Sequence, residues 1–244
     1  MTGPDVVDDL EAEQEALAAV LAGLSPSAWA SPSAAAGWTV TDVVLHLAQT
    51  EEAVVASVAG GPPDWHRFGD TVDGAMAALV EAERAPSETV FARWQAARRA
   101  AVQALRQAAP GRPVRWVAGA LKPRTLATTR VAEHWAHALD VTGPLRIAYP
   151  DTARLRHIAW LGHSTLPYAF RLAGLPPAEV YCELTAPDGT VWHFGNRSAA
   201  SAIRGAAGAF CRVGAHRLAP ADAGLHTEGP DAEAALRVLR NYAA

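Results

Sequence analysis

Through most of the first 145 positions, apolar residues recur every three or four places, the period of an amphipathic helix. Val6–Leu24 carries Leu10, Leu17, Val20 and Leu24 on one face. Its acidic residues Asp8, Asp9, Glu11 and Glu13 come early, where the helix dipole favours them. A loop rich in Ser, Pro and Ala follows over Ser25–Gly37. Thr39 or Thr41 then caps a second helix that runs to about Ala59 and is closed by Gly60-Gly61-Pro62-Pro63. Asp73–Arg84 is a weaker helical stretch. Ser87 opens a long amphipathic helix with Val90, Phe91, Trp94, Ala97, Ala101 and Leu105 on one face, stopped by Pro110-Gly111. A short extended piece, Val114–Val117, precedes a fourth main helix over about Thr125–Val141, closed by Gly143-Pro144.

The texture changes after Pro150. Thr152–Leu175 reads as one helix. Val180–Thr185 alternates as a strand, Pro187–Thr190 is a hairpin turn and Val191–Phe194 is the partner strand. Ala200–Gly205 is a third strand, Ala206–Arg217 a helix and Asp231–Tyr242 a final helix. Helices followed by a segregated α+β segment predict a mostly α protein of two domains, residues 1–147 and 148–244.

Composition narrows the function classes. The chain has 244 residues, half of them hydrophobic, with a net charge of −4 and a pI near 6.1. That balance argues against a nucleic-acid partner, which calls for a basic patch. No apolar run reaches the ~18–20 residues of a membrane span. The acidic N-terminus lacks the basic and apolar regions of a secretory signal, so a cytoplasmic location is expected and the Asn196-Arg197-Ser198 glycosylation pattern carries no meaning. Two cysteines, Cys182 and Cys211, cannot build a disulfide framework and read as buried structural thiols. The 55 alanines, and 20 arginines against the single Lys122, reflect a GC-rich coding habit that inflates apparent helicity.

The chemistry concentrates in the fourth helix, in Arg130-Val-Ala-Glu133-His134-Trp-Ala-His137-Ala-Leu-Asp140. Glu133 and His137 stand four apart and project from one face, a chelating spacing. Imidazole with carboxylate suits Zn²⁺, with Fe²⁺ or Ni²⁺ also possible, and a third ligand must come from elsewhere. In a bundle, ligands from facing helices converge, and the second helix offers His46 in Trp38-Thr-Val-Thr-Asp42-Val-Val-Leu-His46-Leu47. Asp42 lies one turn before His46 and Asp140 three residues after His137, and either can orient an imidazole. His134, about 100° round the helix from Glu133, is a poorer ligand. Trp38 and Trp135 flank these positions as core packing. In the second domain, His163, His157 and Arg156 share a helix, with His163 near Tyr168. They read chiefly as surface residues, with His163 also able to face a cleft.

The W-x-V-x-D-V-x-x-H-L pattern at Trp38–Leu47, with R-x-x-E-x-x-x-H-x-x-D at Arg130–Asp140, resembles the DinB-like metalloenzyme superfamily. Its nearest branch in this likeness is the actinobacterial mycothiol-dependent maleylpyruvate isomerase family. Gly208–Arg217 and the closing helix are similar to that family's smaller domain. The resemblance implies a DinB-like four-helix bundle followed by a small α+β domain. It implies a divalent metal at His46, Glu133 and His137, with Asp140 on the same motif. It further implies mycothiol as cosubstrate and a C-terminal arginine acting in isomerisation, at Arg217 or Arg212, with Arg217 preferred. The expected function is isomerisation or S-transfer on a small electrophilic metabolite through a metal-bound thiolate. Two alternatives stand beside it: a thiol-independent Lewis-acid hydratase, lyase or cyclase, and a non-enzymatic protein that binds a metal or small molecule.

Overall fold

In the computed structural model, which describes residues 5–61, 71–117 and 119–241, Thr39 fixes the start of the helix that carries His46. Its hydroxyl accepts from the Asp42 N–H at 3.2 Å, and the Asp42 carboxylate accepts from the Thr39 N–H at 3.0 Å, a reciprocal capping box. Four long helices build the first of two units into which the chain divides after Tyr149. They are α1 (Val6–Ala22), α3 (Val40–Val58), α5 (Ser87–Gln107) and α6 (Pro123–Leu145). α3 packs on α5 and α6, and α1 packs on the same two helices. Leu17, Leu21, Val43, Leu47, Trp94 and Val141 are among the residues of the apolar core.

Smaller elements join these helices. The Ser25–Gly37 loop contains one helical turn, α2 (Pro26–Trp29), capped by Ser25. The weaker helical stretch forms α4 (Val72–Ala82). The extended piece pairs as β1 (Val114–Trp116) with β2 (Gly119–Leu121). Of the residues expected to close the second helix, Pro62 and Pro63 lie outside the described residues.

The fourth helix is longer than its sequence signals predict, running through Gly143-Pro144 to Leu145. Pro144 has no N–H for the carbonyl of Asp140. The loop residue Ala34 supplies one instead, its N–H donating to Asp140 O at 2.9 Å. The helix ends at Arg146, which adopts a left-handed φ of 55°, with the Ile147 N–H reaching back to Thr142 O at 2.9 Å.

In the second unit, the helix expected over Thr152–Leu175 is two: α7 (Leu155–Ser164) and α8 (Leu166–Leu172). Pro167 breaks the ladder, and the Thr165 hydroxyl at the break donates to Arg240 O at 2.6 Å. A mixed sheet follows, ordered β4-β3-β5-β6. β3 (Val180–Thr185) pairs antiparallel with β4 (Val191–Phe194) across the Pro187–Thr190 turn, and parallel with β5 (Ser201–Ala206). Three-residue β6 (His226–Glu228) extends it, too short and exposed to show an alternation in sequence.

The helix expected to reach Arg217 stops earlier, as α9 (Ala207–Gly214). His216 takes a left-handed φ of 57°, and the Arg217 N–H closes back on Arg212 O. The last helix, α10 (Ala232–Val238), also ends early, and Tyr242 lies outside the described residues. Asn241 is drawn to the end of α9, donating from Nδ2 to Cys211 O and from its backbone to Gly214 O, both at 2.8 Å. A Cβ at position 214 would crowd the Asn241 side-chain amide, which would have to shift. Cys182 and Cys211 are buried free thiols. Among the described residues, no helix is long and apolar enough to cross a membrane.

Candidate metal centre

α3 and α6 bring His46, Glu133 and His137 together. His46 Nε2 donates to Glu133 Oε1 at 2.9 Å, and His137 Nε2 stands 3.4 Å from the same oxygen. One donor atom from each residue falls within 4.8 Å of the others. Ligands about 2.0–2.1 Å from a tetrahedral ion sit about 3.3 Å apart, and the two His–Glu separations, 2.9 and 3.4 Å, lie near that edge. The His46 side chain is 7% exposed, His137 13% and Glu133 27%, so the cluster opens to solvent on the Glu133 side. His46 Nδ1 is buried without a hydrogen-bond partner, and among the described residues Glu133 is the one group hydrogen-bonded to this side chain. Two imidazoles and one carboxylate form a donor set that fits Zn²⁺.

Asp140 orients the second imidazole. Fully buried, its Oδ2 accepts from His137 Nδ1 at 2.9 Å, which leaves Nε2 facing Glu133. Asp42 does not play the matching part for His46, contrary to expectation. Its oxygens accept from the backbone and hydroxyl of Thr39 and from Arg84 Nε at 2.9 Å, so it is committed to starting the helix. The Trp38 indole lies 5.1 Å from the His46 ring and 6.4 Å from that of His137, stacked on the latter. Its loop is pinned by Ser33, whose hydroxyl and N–H both donate to Trp38 O. Trp135 is buried.

Electrostatics divide the three residues. Burial lowers the His46 pKa against the help of the Glu133 hydrogen bond, which keeps this imidazole neutral. Burial also works against ionisation of Glu133, but hydrogen bonds from both histidines and the Arg130 charge outweigh it and hold the carboxyl well below its ordinary range. For His137, burial opposes the charge while hydrogen bonds to Asp140 and Glu133 prevail, raising the pKa to about 9. Without metal, both nitrogens of His137 face carboxylates.

One turn along the same helices lies a buried polar cluster that the sequence does not announce. Arg130 Nε donates to Glu51 Oε1 and its Nη2 to Thr50 Oγ1, both at 2.7 Å. His134 Nδ1 donates to Arg130 O at 3.0 Å and Nε2 accepts from Trp94 Nε1 at 3.3 Å. Those bonds fix one neutral tautomer, and burial drives the pKa of His134 down to about 3. Burial raises the pKa of Glu51 against the pull of Arg130. The available signal was position: Arg130, Glu133 and His137 share one helical stripe, as do His46 and Thr50.

The second-domain candidates are placed within their own unit. Arg217 follows α9, with Nη1 donating to Ala215 O at 2.6 Å. Arg212 forms a bidentate pair with Asp151 at 2.7 and 2.8 Å. His163 donates from Nε2 to Val180 O at 2.9 Å and stacks on Phe194, so it packs against the sheet. His157 and Arg156 lie on α7 with it.

Comparison with known proteins bears on the whole chain. Residues 10–142 match the model of the mycothiol maleylpyruvate isomerase N-terminal domain. An uncharacterized protein of Mycobacterium tuberculosis, found in two strains, is 33% identical over 251 residues, which cover 99% of this chain and 96% of the relative. Two crystal structures share the fold: the mycothiol-dependent maleylpyruvate isomerase (14% identical, TM-score 0.62) and a histidine-to-alanine mutant of it (13%, 0.61). Each comparison covers 92% of this chain and 95% of the other.

Proposed function

The chain belongs to the mycothiol maleylpyruvate isomerase N-terminal domain family, and on that premise we propose that it is a metal-dependent enzyme, an isomerase or S-transferase that uses mycothiol to act on a small electrophilic metabolite. The observation that carries this reading is the meeting of His46, Glu133 and His137 in one solvent-reached cluster. Those three residues hold the ion. Zn²⁺ best suits the donor set, and Fe²⁺ and Ni²⁺ are compatible with it. When bound, a divalent ion with an open position supplies Lewis acidity that strips the proton from a coordinated thiol or water.

The surrounding side chains prepare that position. Asp140 keeps a proton on His137 Nδ1, so that Nε2 presents its lone pair once its own proton is displaced. Burial keeps His46 neutral, and hydrogen bonding keeps Glu133 ionised. Trp38 packs its indole against the two imidazoles. On the family likeness, Arg217 is the second-domain arginine we assign to turnover; its Nη1 donates to Ala215 O.

The test is turnover by zinc-loaded protein given mycothiol and either maleylpyruvate or a panel of conjugated enones and epoxides. Loss of substrate that requires the thiol, and that disappears in Glu133→Gln, is the expected result. Turnover without thiol would replace this reading with a Lewis-acid hydratase, lyase or cyclase. Metal binding with no turnover of any substrate would favour a binding protein.

A further inference from the structure

We propose that the buried cluster of Arg130, Glu51 and Thr50 is a positioning device that sets the spacing between the ligand on α3 and the two ligands on α6. The inference rests on the metal-centre reading above. Two polar rungs join the same pair of helices, one turn apart. The first is His46 to Glu133 at 2.9 Å. The second is Arg130, reaching Glu51 and Thr50 at 2.7 Å each. Arg130 stands three residues before Glu133, and Thr50 four after His46, so the second rung lies directly beneath the first.

The rungs are also bonded to each other. The Thr50 hydroxyl accepts from Arg130 and donates to His46 O at 3.0 Å, linking the guanidinium to the backbone of the ligand. The carbonyl of Arg130 accepts from His134, which is bonded in turn to Trp94 on α5. Three helices are therefore tied at this level.

Arg130 is 3% exposed and Glu51 fully buried. Such a pair seldom stabilises a fold more than apolar side chains of the same volume, and its best-attested use is to specify register. The guanidinium is a rigid fork whose donors meet their acceptors in one alignment only. A slip of α3 along α6 by one residue is about 1.5 Å, which breaks the fork's bonds. A metal site tolerates about 0.2 Å in its ligand distances. Apolar packing at 50, 51 and 130 would hold the helices together yet leave them freer to slide than the centre allows.

The experiment compares the full chain with Glu51→Met/Arg130→Met, Thr50→Val and Arg130→Lys. The readouts are zinc dissociation constant by competition with a chromophoric chelator, thermal midpoint, and the ¹⁵N imidazole signals of His46 and His137 in metal-free protein. The double variant removes the pair without stranding a charge. It is expected to melt no lower than wild type, to bind zinc at least tenfold more weakly, the lower end of what loss of a ligand-orienting group costs, and to lose the signature of the His46–Glu133 hydrogen bond. Thr50→Val and Arg130→Lys shift zinc affinity and the imidazole signals the same way by less, and they carry the test if the double variant does not fold. A folded double variant with wild-type zinc affinity and unchanged imidazole signals would overturn the proposal and make the cluster mere core filling. If wild-type protein takes up no zinc, the metal reading fails by itself, while the metal-free imidazole signals still decide whether the cluster sets the spacing.

Discussion

The two units treat buried polar groups in opposite ways. The bundle keeps Glu51, Arg130, His134 and Asp140 inside, together with His46 at its centre, whereas the only buried polar residues described in the second unit are Ser201 and Asn241. There the interior is apolar, built on Phe170, Phe210, Leu155, Ile158 and Leu184, and Asn241 serves the end of α9. Its ion pairs, Arg212–Asp151 and Arg204–Glu228 among them, stay partly exposed. Burying a charge costs several kcal/mol unless it is well paired. The protein carries that cost only in the unit that holds the His46–Glu133–His137 cluster. The second unit is packed by ordinary hydrophobic means.

The largest effect that could break this contrast is loss of a ligand. Protein purified without chelators or a histidine tag should carry about one zinc, iron or nickel per chain, since one such cluster is described. Elemental analysis should find almost none in His46→Ala, and wild-type content in Arg217→Ala. Metal retained by the first or lost by the second would erase the division between the units.

A smaller loss is expected at Asp140→Asn, which leaves all three donors in place and weakens the hydrogen bond to His137. Chelator competition should show zinc binding weakened about 10–100-fold, the usual effect of altering a group that orients a ligand. An unchanged constant would mean that Asp140 serves packing alone.

The pH dependence should follow His137, whose pKa is raised to about 9 in metal-free protein. Metal must displace its proton, so apparent affinity should climb about tenfold per pH unit until pH reaches that value. The metal-free protein should respond in the other direction. A folded pKa above the unfolded value near 6.5 contributes stability in full below about pH 6.5, and that contribution fades as pH rises through about 9. Melting curves of both forms between pH 6 and 9 should therefore diverge, and parallel curves would refute the assignment.

The mildest test falls in the second unit. Burial pushes the Cys182 thiol up to about 12 and the Cys211 thiol up as well. Native protein at pH 8 should resist alkylation at both positions, because the thiolate is the reactive form. Cys211→Ala should cost about 1 kcal/mol through a small cavity and leave metal content untouched. Rapid labelling of native protein by an iodoacetamide reagent would show a second unit more open than its packing indicates.

Much of the bundle was legible because helical periodicity and end signals are local. Sequence offers Thr39 or Thr41 as the cap of α3, and Thr39 caps it in the structure. Strands β3 and β4 and their turn were equally plain, since alternation and Pro-Asp-Gly are short-range features. The errors cluster where a distant group changes a local outcome. Gly143-Pro144 signals a stop, yet α6 continues because Ala34 takes the carbonyl that Pro144 leaves open. α10 ends early where Asn241 is held by α9.

The candidate site divides along the same line. Spacing alone puts Glu133 and His137 on one face of a helix, because the helix repeat is a property of the chain itself. Convergence of facing helices in a bundle offers His46, and family likeness joins it to the other two. No local pattern says that Asp140 faces His137 while Asp42 is absorbed by Thr39 and Arg84, since both aspartates stand about one turn from a histidine. The fork of Arg130 on Glu51 and Thr50, and the tautomer of His134, depend on partners some 80 and 40 residues away along the chain. The sequence by itself determined which elements form and which faces they present, because those follow from short-range geometry. Only the tertiary structure decided which polar group each buried side chain meets, because hydrogen bonds act over about 3 Å and the helices must first be packed to bring their partners within reach.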